Sequence, residues 1–154
     1  MHGTTGTAME AASTLLYHFT SPERLVRILQ AGEVRTTDLN FVENLPRSEK
    51  PYGERYAPDV VWLTSDPAPA PSDIALEGTL DGTDKTSIRL TLLLPFEDVL
   101  EGGDFAERYR IHPKWKAALE RGRAARTWFV LPRPALLSEV VAVDERRDGT
   151  YLPL

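Results

Sequence analysis

The chain has 154 residues, of which 42% are hydrophobic and 27% charged, and it carries a net charge of −5 at pH 7. That length and composition suit one ordinary globular domain able to build its own core. The acidic balance excludes a broad phosphate-gripping surface for duplex nucleic acid, though not a small pocket for a base or a nucleotide, and the lack of cysteine excludes disulfides, thiol catalysis and cysteine zinc sites.

No apolar run approaches the roughly 20 residues that span a bilayer. Residues 1–13 lack the basic-then-apolar order of a secretory signal. The expectation is a cytoplasmic protein with a flexible tail over residues 1–13 and a single domain over residues 14–154.

Residues 15–19 form the first predicted strand. Ser21 is then a good N-cap, Pro22 suits the first helical position, and Glu23 adds a favourable first-turn charge. Leu25, Ile28 and Leu29, with Val26 beside them, make the apolar face of a helix that Gly32 should end. Residues 34–37 read as a short strand. Residues 38–58 are irregular and long, which compact domains seldom keep without a use; Tyr52 and Tyr56 lie near their end. Residues 59–65 are an apolar run of strand length with apolar side chains on both faces, as in a central strand.

A second long loop over residues 66–84 precedes a strand over residues 86–94. There Ile88, Leu90, Leu92 and Leu94 share one face, and Arg89 projects from the other. Residues 95–104 read as a connection around Phe96 and Val99. His112-Pro113 should open a helix that ends at Gly122, with Trp115, Ala118 and Leu119 inward. Residues 126–131 form a strand closed by Pro132 and Pro134, with Trp128 in the core. Residues 138–143 form another strand, residues 144–149 a charged turn, and Tyr151-Leu152 an edge strand. The sum is an α+β fold: a mostly antiparallel split sheet of six or seven short strands with two or three short helices.

The common catalytic signatures are missing. There is no phosphate loop of the G-x-x-x-x-G-K-[ST] kind, no G-x-G-x-x-G after a strand and no G-x-S-x-G elbow. The three histidines, His2, His18 and His112, are far apart and none has a second ligand at metal spacing, so no metal centre is expected. His18 is the one well-placed imidazole, beside Thr20 in a strand that runs into a helix N-terminus. Such an edge offers backbone N–H groups and a positive dipole end to a ribose or phosphate. A lone strand histidine can equally be a core residue satisfied by a backbone carbonyl.

Tyr17-His18-Phe19-Thr20, followed by a capped helix ending in Gln30-Ala31-Gly32, resembles the opening of the ADP-ribosyltransferase-like superfamily. The likeness is to the DNA-targeting toxin and rifamycin ADP-ribosyltransferases and to the RNA 2′-phosphotransferases. Tyr52-Gly53-Glu54-Arg55 and then Val60-Val61-Trp62-Leu63-Thr64-Ser65 look like the rifamycin-type loop and strand; together the two matches cover about 40 of 154 residues.

The resemblance implies an NAD-dependent ADP-ribosyltransferase that uses NAD as co-substrate. Its acceptor would be a nucleic acid, a protein or a small molecule, in a toxin, phage or resistance setting. It implies that His18 hydrogen-bonds a ribose hydroxyl of NAD, with Phe19 and Thr20 beside it. One of Tyr52, Tyr56 and Trp62 would stack on nicotinamide, and Thr64 and Ser65 would flank that pocket. Arg89 and Arg126 could supply one or two cations to the pyrophosphate, although Arg89 on the polar face of its strand reads equally as a surface residue. Glu139 would be the catalytic acid that stabilises the positive sugar ring as the glycosidic bond breaks. The chain departs from the family in lacking an E-x-E pair and the arginine set of the RNA 2′-phosphotransferases. A non-catalytic binding or inhibitor protein of the same fold, or a 2′-phosphotransferase-like enzyme, are the alternatives.

Overall fold

The computed structural model describes residues 12–36, 59–69, 86–109 and 127–154. Strand β1 (Ser13–Thr20) runs straight into helix α1 (Pro22–Ala31), as the local signals require. Ser21 is the N-cap and its hydroxyl accepts the Arg24 N–H at 3.2 Å. Gly32 closes the helix at φ 76°, a left-handed conformation that glycine adopts without a Cβ penalty. Only Leu25 and Ile28 of the expected apolar face are buried; Leu29 is 57% exposed and Val26 53%. The helix lies on the sheet along a narrow i, i+3 line, too narrow to cover both flanks.

Strand β2 (Glu33–Val34) is shorter than expected and pairs with β7 (Ala135–Leu136) as a two-stranded ribbon. The others are β3 (Val61–Thr64), β4 (Ile88–Pro95), β5 (Leu100–Glu101), β6 (Trp128–Leu131), β8 (Val140–Arg147) and β9 (Thr150–Pro153). With β1 they form a seven-stranded sheet in the order β5-β6-β3-β1-β4-β8-β9, every neighbouring pair antiparallel. The expected α+β class with a mostly antiparallel sheet is thus what the protein has. Among the described residues there are two α-helices, the second being α2 (Gly102–Arg108), and no helix is long and apolar enough to cross a membrane.

The two faces of the sheet are covered differently. Leu16 of β1, Val61 and Leu63 of β3, and Ile88, Leu90, Leu92 and Leu94 of β4 pack against Leu25 and Ile28 of α1. Each fully buried aliphatic side chain here contributes roughly 1.5–3 kcal/mol. On the opposite face Val60, Trp128 and Val130 pack with Phe105 and Ala106 of α2. A side chain at Gly102 would collide with the Trp128 indole, so the helix can lie this close only with glycine there.

Three sequence expectations need correction. The stretch after β4 is more than a connection: it holds a 3-10 turn (Phe96–Asp98), β5 and the start of α2. Residues 144–147 are strand, not turn, because β8 continues to Arg147 and pairs with β9. The turn itself is only Asp148-Gly149, at φ 51° and 79°, the positive-φ pair that two-residue hairpins favour. Glu139 lies in a 3-10 turn (Leu137–Glu139) before β8 and not on the strand. The helix expected from His112 to Gly122, the long loop over residues 38–58, residues 70–84 of the second loop, Tyr52, Tyr56 and Arg126 lie outside the described residues.

Candidate functional site

The sheet is nearly cut in two. Strands β1 and β4 match over eight residue pairs, from Ser13↔Pro95 to Thr20↔Ile88. Strands β1 and β3 match at one pair, Tyr17↔Thr64. Beyond that pair the ladder between β1 and β3 does not continue towards the N-terminus of α1. At the start of this opening the His18 imidazole takes the place of a ladder amide: Nδ1 lies 2.8 Å from the carbonyl oxygen of Trp62.

That bond sets the tautomer. A carbonyl oxygen can only accept, so Nδ1 carries the hydrogen and the neutral ring keeps Nε2 as an acceptor. Two effects hold His18 below the ordinary imidazole value of 6.5. Burial is the larger and the positive charge of Arg24 the smaller; the Trp62 carbonyl works against them by favouring the protonated ring. Part of the residue still meets solvent, although protein hems in the ring. Nε2 therefore stands as a neutral acceptor, with no hydrogen bond to it among the described residues.

Side chains alternate along a strand, so His18 and Thr20 share the face of Leu16. Thr20 is 3% exposed and its hydroxyl makes no hydrogen bond among the described residues. The chain then enters α1 through the buried Ser21. An acceptor nitrogen, a free hydroxyl and a helix N-terminus thus meet at the open end of the seam. The set can accept hydrogen bonds from sugar hydroxyls and can favour a nearby anion.

The remaining expected site residues do not all join this set. Phe19, Trp62, Thr64 and Arg89 project to the opposite face. Trp62 lies 5.5 Å from Trp128 with the rings tilted by 40° and meets Phe105 edge-on at 6.4 Å, so it is half packed into the α2 cluster. Trp128 is core, as expected, and its buried Nε1 has no hydrogen-bond partner. The Thr64 hydroxyl accepts from the Asp66 N–H at 3.1 Å and shapes the turn after β3. Ser65 is tied to the carbonyl oxygen of Thr127 through its backbone at 2.8 Å and its hydroxyl at 3.4 Å.

Arg89 is already committed. Its guanidinium bonds Asp144 Oδ2 through Nη2 at 3.0 Å and the Pro67 carbonyl through Nη1 at 2.8 Å. It also lies over the rings of Tyr17 and Tyr151, at 5.6 and 4.6 Å from their centroids. Most of the cation is thereby engaged, at 18% side-chain exposure, which leaves it poorly placed to meet a pyrophosphate.

Glu139 is committed as well. Both of its oxygens accept from Arg133, each at 2.9 Å, and Oε1 also accepts the Leu136 N–H at 3.0 Å. The Arg133 bonds, foremost, hold this carboxyl below its ordinary value of 4.5; burial opposes them and the Leu136 bond assists. Arg133 reaches Asp98 too, at 2.8 Å, so the group ties two 3-10 turns together. His18 is level with Leu90, while Val140, next to Glu139, is level with Leu92 on a strand one further away. Strand spacing puts Glu139 more than about 10 Å from His18.

In the sequence Arg24 reads as an ordinary helix charge; in the structure its charge helps to hold the His18 imidazole neutral. Its position three residues after the N-cap, in the first turn of a helix that follows a histidine strand, was the available signal. Among the described residues no group of three or more histidine, aspartate and glutamate side chains is placed to hold a metal. Comparison with family models, curated proteins and solved structures finds no match to this chain.

Proposed function

We propose that the seam between β1 and β3 binds NAD and that the protein is an NAD-dependent ADP-ribosyltransferase, in line with the resemblance of its opening strand and helix. The observation that carries this reading is the His18 Nδ1–H bond to the Trp62 carbonyl. It fixes a neutral imidazole with its acceptor nitrogen unshared, beside the free Thr20 hydroxyl, where the sheet opens. That arrangement suits a ribose, whose hydroxyls need both acceptors and donors.

In the transfer, the bond between C1′ of the ribose and the nicotinamide nitrogen breaks and nicotinamide leaves as a neutral base. The acceptor nucleophile bonds to C1′ and gives up its proton to solvent. The hydrogen bond from a ribose hydroxyl to His18 Nε2 would strengthen as positive charge builds on the ring, because it increases electron density on the sugar oxygen. The seam would hold the sugar in the geometry required for attack.

A second reading, binding without turnover, is favoured by one observation: Glu139, the acid expected from the resemblance, is held by Arg133. The two readings separate in one set of measurements. NAD at about 100 times its dissociation constant should add about 2.7 kcal/mol to stability, seen as a rise in melting temperature. His18→Ala should abolish that rise. Release of nicotinamide in the presence of acceptor would mark the enzyme; a melting shift without release would mark the binder. No shift with millimolar NAD would overturn both.

A further inference from the structure

An antiparallel strand with one face in water alternates apolar and polar side chains. Three neighbouring strands break that alternation at the same level. Leu16 of β1, Leu92 of β4 and Val140 of β8 are in register across the sheet and belong to the core that α1 covers. Leu15 and Leu93, one residue along, are matched to each other on the opposite face, where they are 51% and 45% exposed.

A bulge in β8 adds to this. Thr91 is matched to Ala142 and Leu92 to Val140, so Val141 is the extra residue. Val141 is 53% exposed and Ala142 beside it is exposed as well. Bulges re-aim side chains, and this one turns a valine away from the protein's own core. Leu15, Leu93, Val141 and Ala142 thus make one apolar patch across β1, β4 and β8. It lies on the face away from His18, beside the part of that face where α2 packs on β3 and β6.

We infer that this patch is the contact surface of a homodimer, in which a second copy of the chain lays the same three strands on it. Charge and symmetry choose that partner. The nearest charges that these strands turn to this face, Arg89 and Asp144, neutralise each other at 3.0 Å. The patch therefore offers no attraction to nucleic acid, to an anionic bilayer or to a charged peptide. Leu15 and Leu93 stand opposite each other on antiparallel strands, so a copy turned by 180° brings leucine onto leucine, with the two sheets about 10 Å apart. Four such side chains, about half exposed, amount to a few hundred Å², enough to mark an interaction site. That is short of the roughly 800 Å² each partner buries in a stable interface. The dimer is accordingly weak, with a dissociation constant above about 1 μM. The net charge of −5 on each copy opposes it at low salt.

Sedimentation velocity of the full chain, from about 5 to about 500 μM, brackets that range. It should show a monomer–dimer equilibrium that tightens as salt screens the like charges. Leu93→Asp and, separately, Val141→Asp should each weaken association at least tenfold; both sites are half in water, so the melting temperature should stay close to that of the unaltered protein, and either variant carries the test if the other fails to fold. Leu29→Asp, on the equally exposed flank of α1 (57%), should leave the equilibrium as it was. A monomer at every concentration would overturn the inference, as would a dimer that survives both β-strand variants, one that Leu29→Asp also dissolves, or one that loosens with salt. Uptake of the monomer by uncharged phosphatidylcholine vesicles would overturn it in favour of a lipid surface.

Discussion

Strands β1 and β4 carry two polar clusters on opposite faces, and they differ in what is left over. Around Arg89 little is spare. Asp144, the Pro67 carbonyl and two tyrosine rings surround the guanidinium, while the Tyr151 hydroxyl donates to the Thr86 carbonyl at 2.6 Å and its ring meets Phe19 at 5.6 Å. Around His18, among the described residues, one ring nitrogen is used and the other has no hydrogen bond, and neither the Thr20 hydroxyl nor the Arg24 guanidinium has a partner. By residue type alone, a caged arginine with tyrosines looks more like a nucleotide site than a single histidine does. What separates scaffold from site is not which groups are present but which are still available for a ligand.

The strongest way to break this contrast is Asp144→Ala. It leaves the Arg89 guanidinium largely buried, at 18% side-chain exposure, without its carboxylate. Breaking such a pair costs about 3 kcal/mol, because the partner charge stays behind uncompensated. Urea unfolding should report a loss of that size, with the NAD-induced rise in melting temperature preserved. A variant of normal stability that no longer responds to NAD would move the site to the Arg89 face.

A smaller effect sharpens the other half of the contrast. His18 is held neutral, below the ordinary value of 6.5, chiefly by burial. In the window from 6.5 down to its folded value, the unfolded chain binds a proton that the folded protein does not. Stability therefore falls as pH drops through that window, and the contribution is flat above it. His18→Gln should remove this part of the acid sensitivity. Melting temperatures of the two proteins between about pH 7.5 and 5 give the comparison, and parallel curves would mean that His18 is not held neutral.

The legible parts of the fold are those whose signals are local. Ser21-Pro22 and Gly32 bound α1 within a dozen residues, and the leucine alternation of β4 states its face directly. The charged run Asp144-Glu145-Arg146-Arg147 reads as a turn because nothing nearby shows that Asp144 goes inward to meet Arg89, 55 residues earlier. The start of α2 is hidden by Gly102-Gly103, poor helix formers, and the reason for Gly102 is contact with a tryptophan on another strand. The candidate site was half legible. His18 stands out by its place before a helix, but its partner is a backbone carbonyl 44 residues away, and no residue type announces a carbonyl. The availability of Arg24, and the lack of it in Arg89, are likewise properties of three-dimensional neighbours.

Glu139 offers the smallest effect and the most discriminating one. Glu139→Gln keeps the shape of the side chain and removes its charge. Arg133 would retain Asp98 at 2.8 Å, and the pair is partly open, with side-chain exposures of 33% and 15%. Solvent screening and the remaining partner limit the loss to about 1 kcal/mol. A carboxyl held below 4.5 adds stability above that pH and loses it as pH falls through its folded value, so the gap between the two proteins should close in acid. Nicotinamide release, measured on folded protein, should be unaltered if Glu139 serves only to tie Asp98 and Arg133 to the turn before β8. A fall of about a hundredfold or more in release, with stability intact, would show that the carboxylate leaves Arg133 to act on the sugar. The comparison of committed and available groups would then hold only for the protein without its ligand.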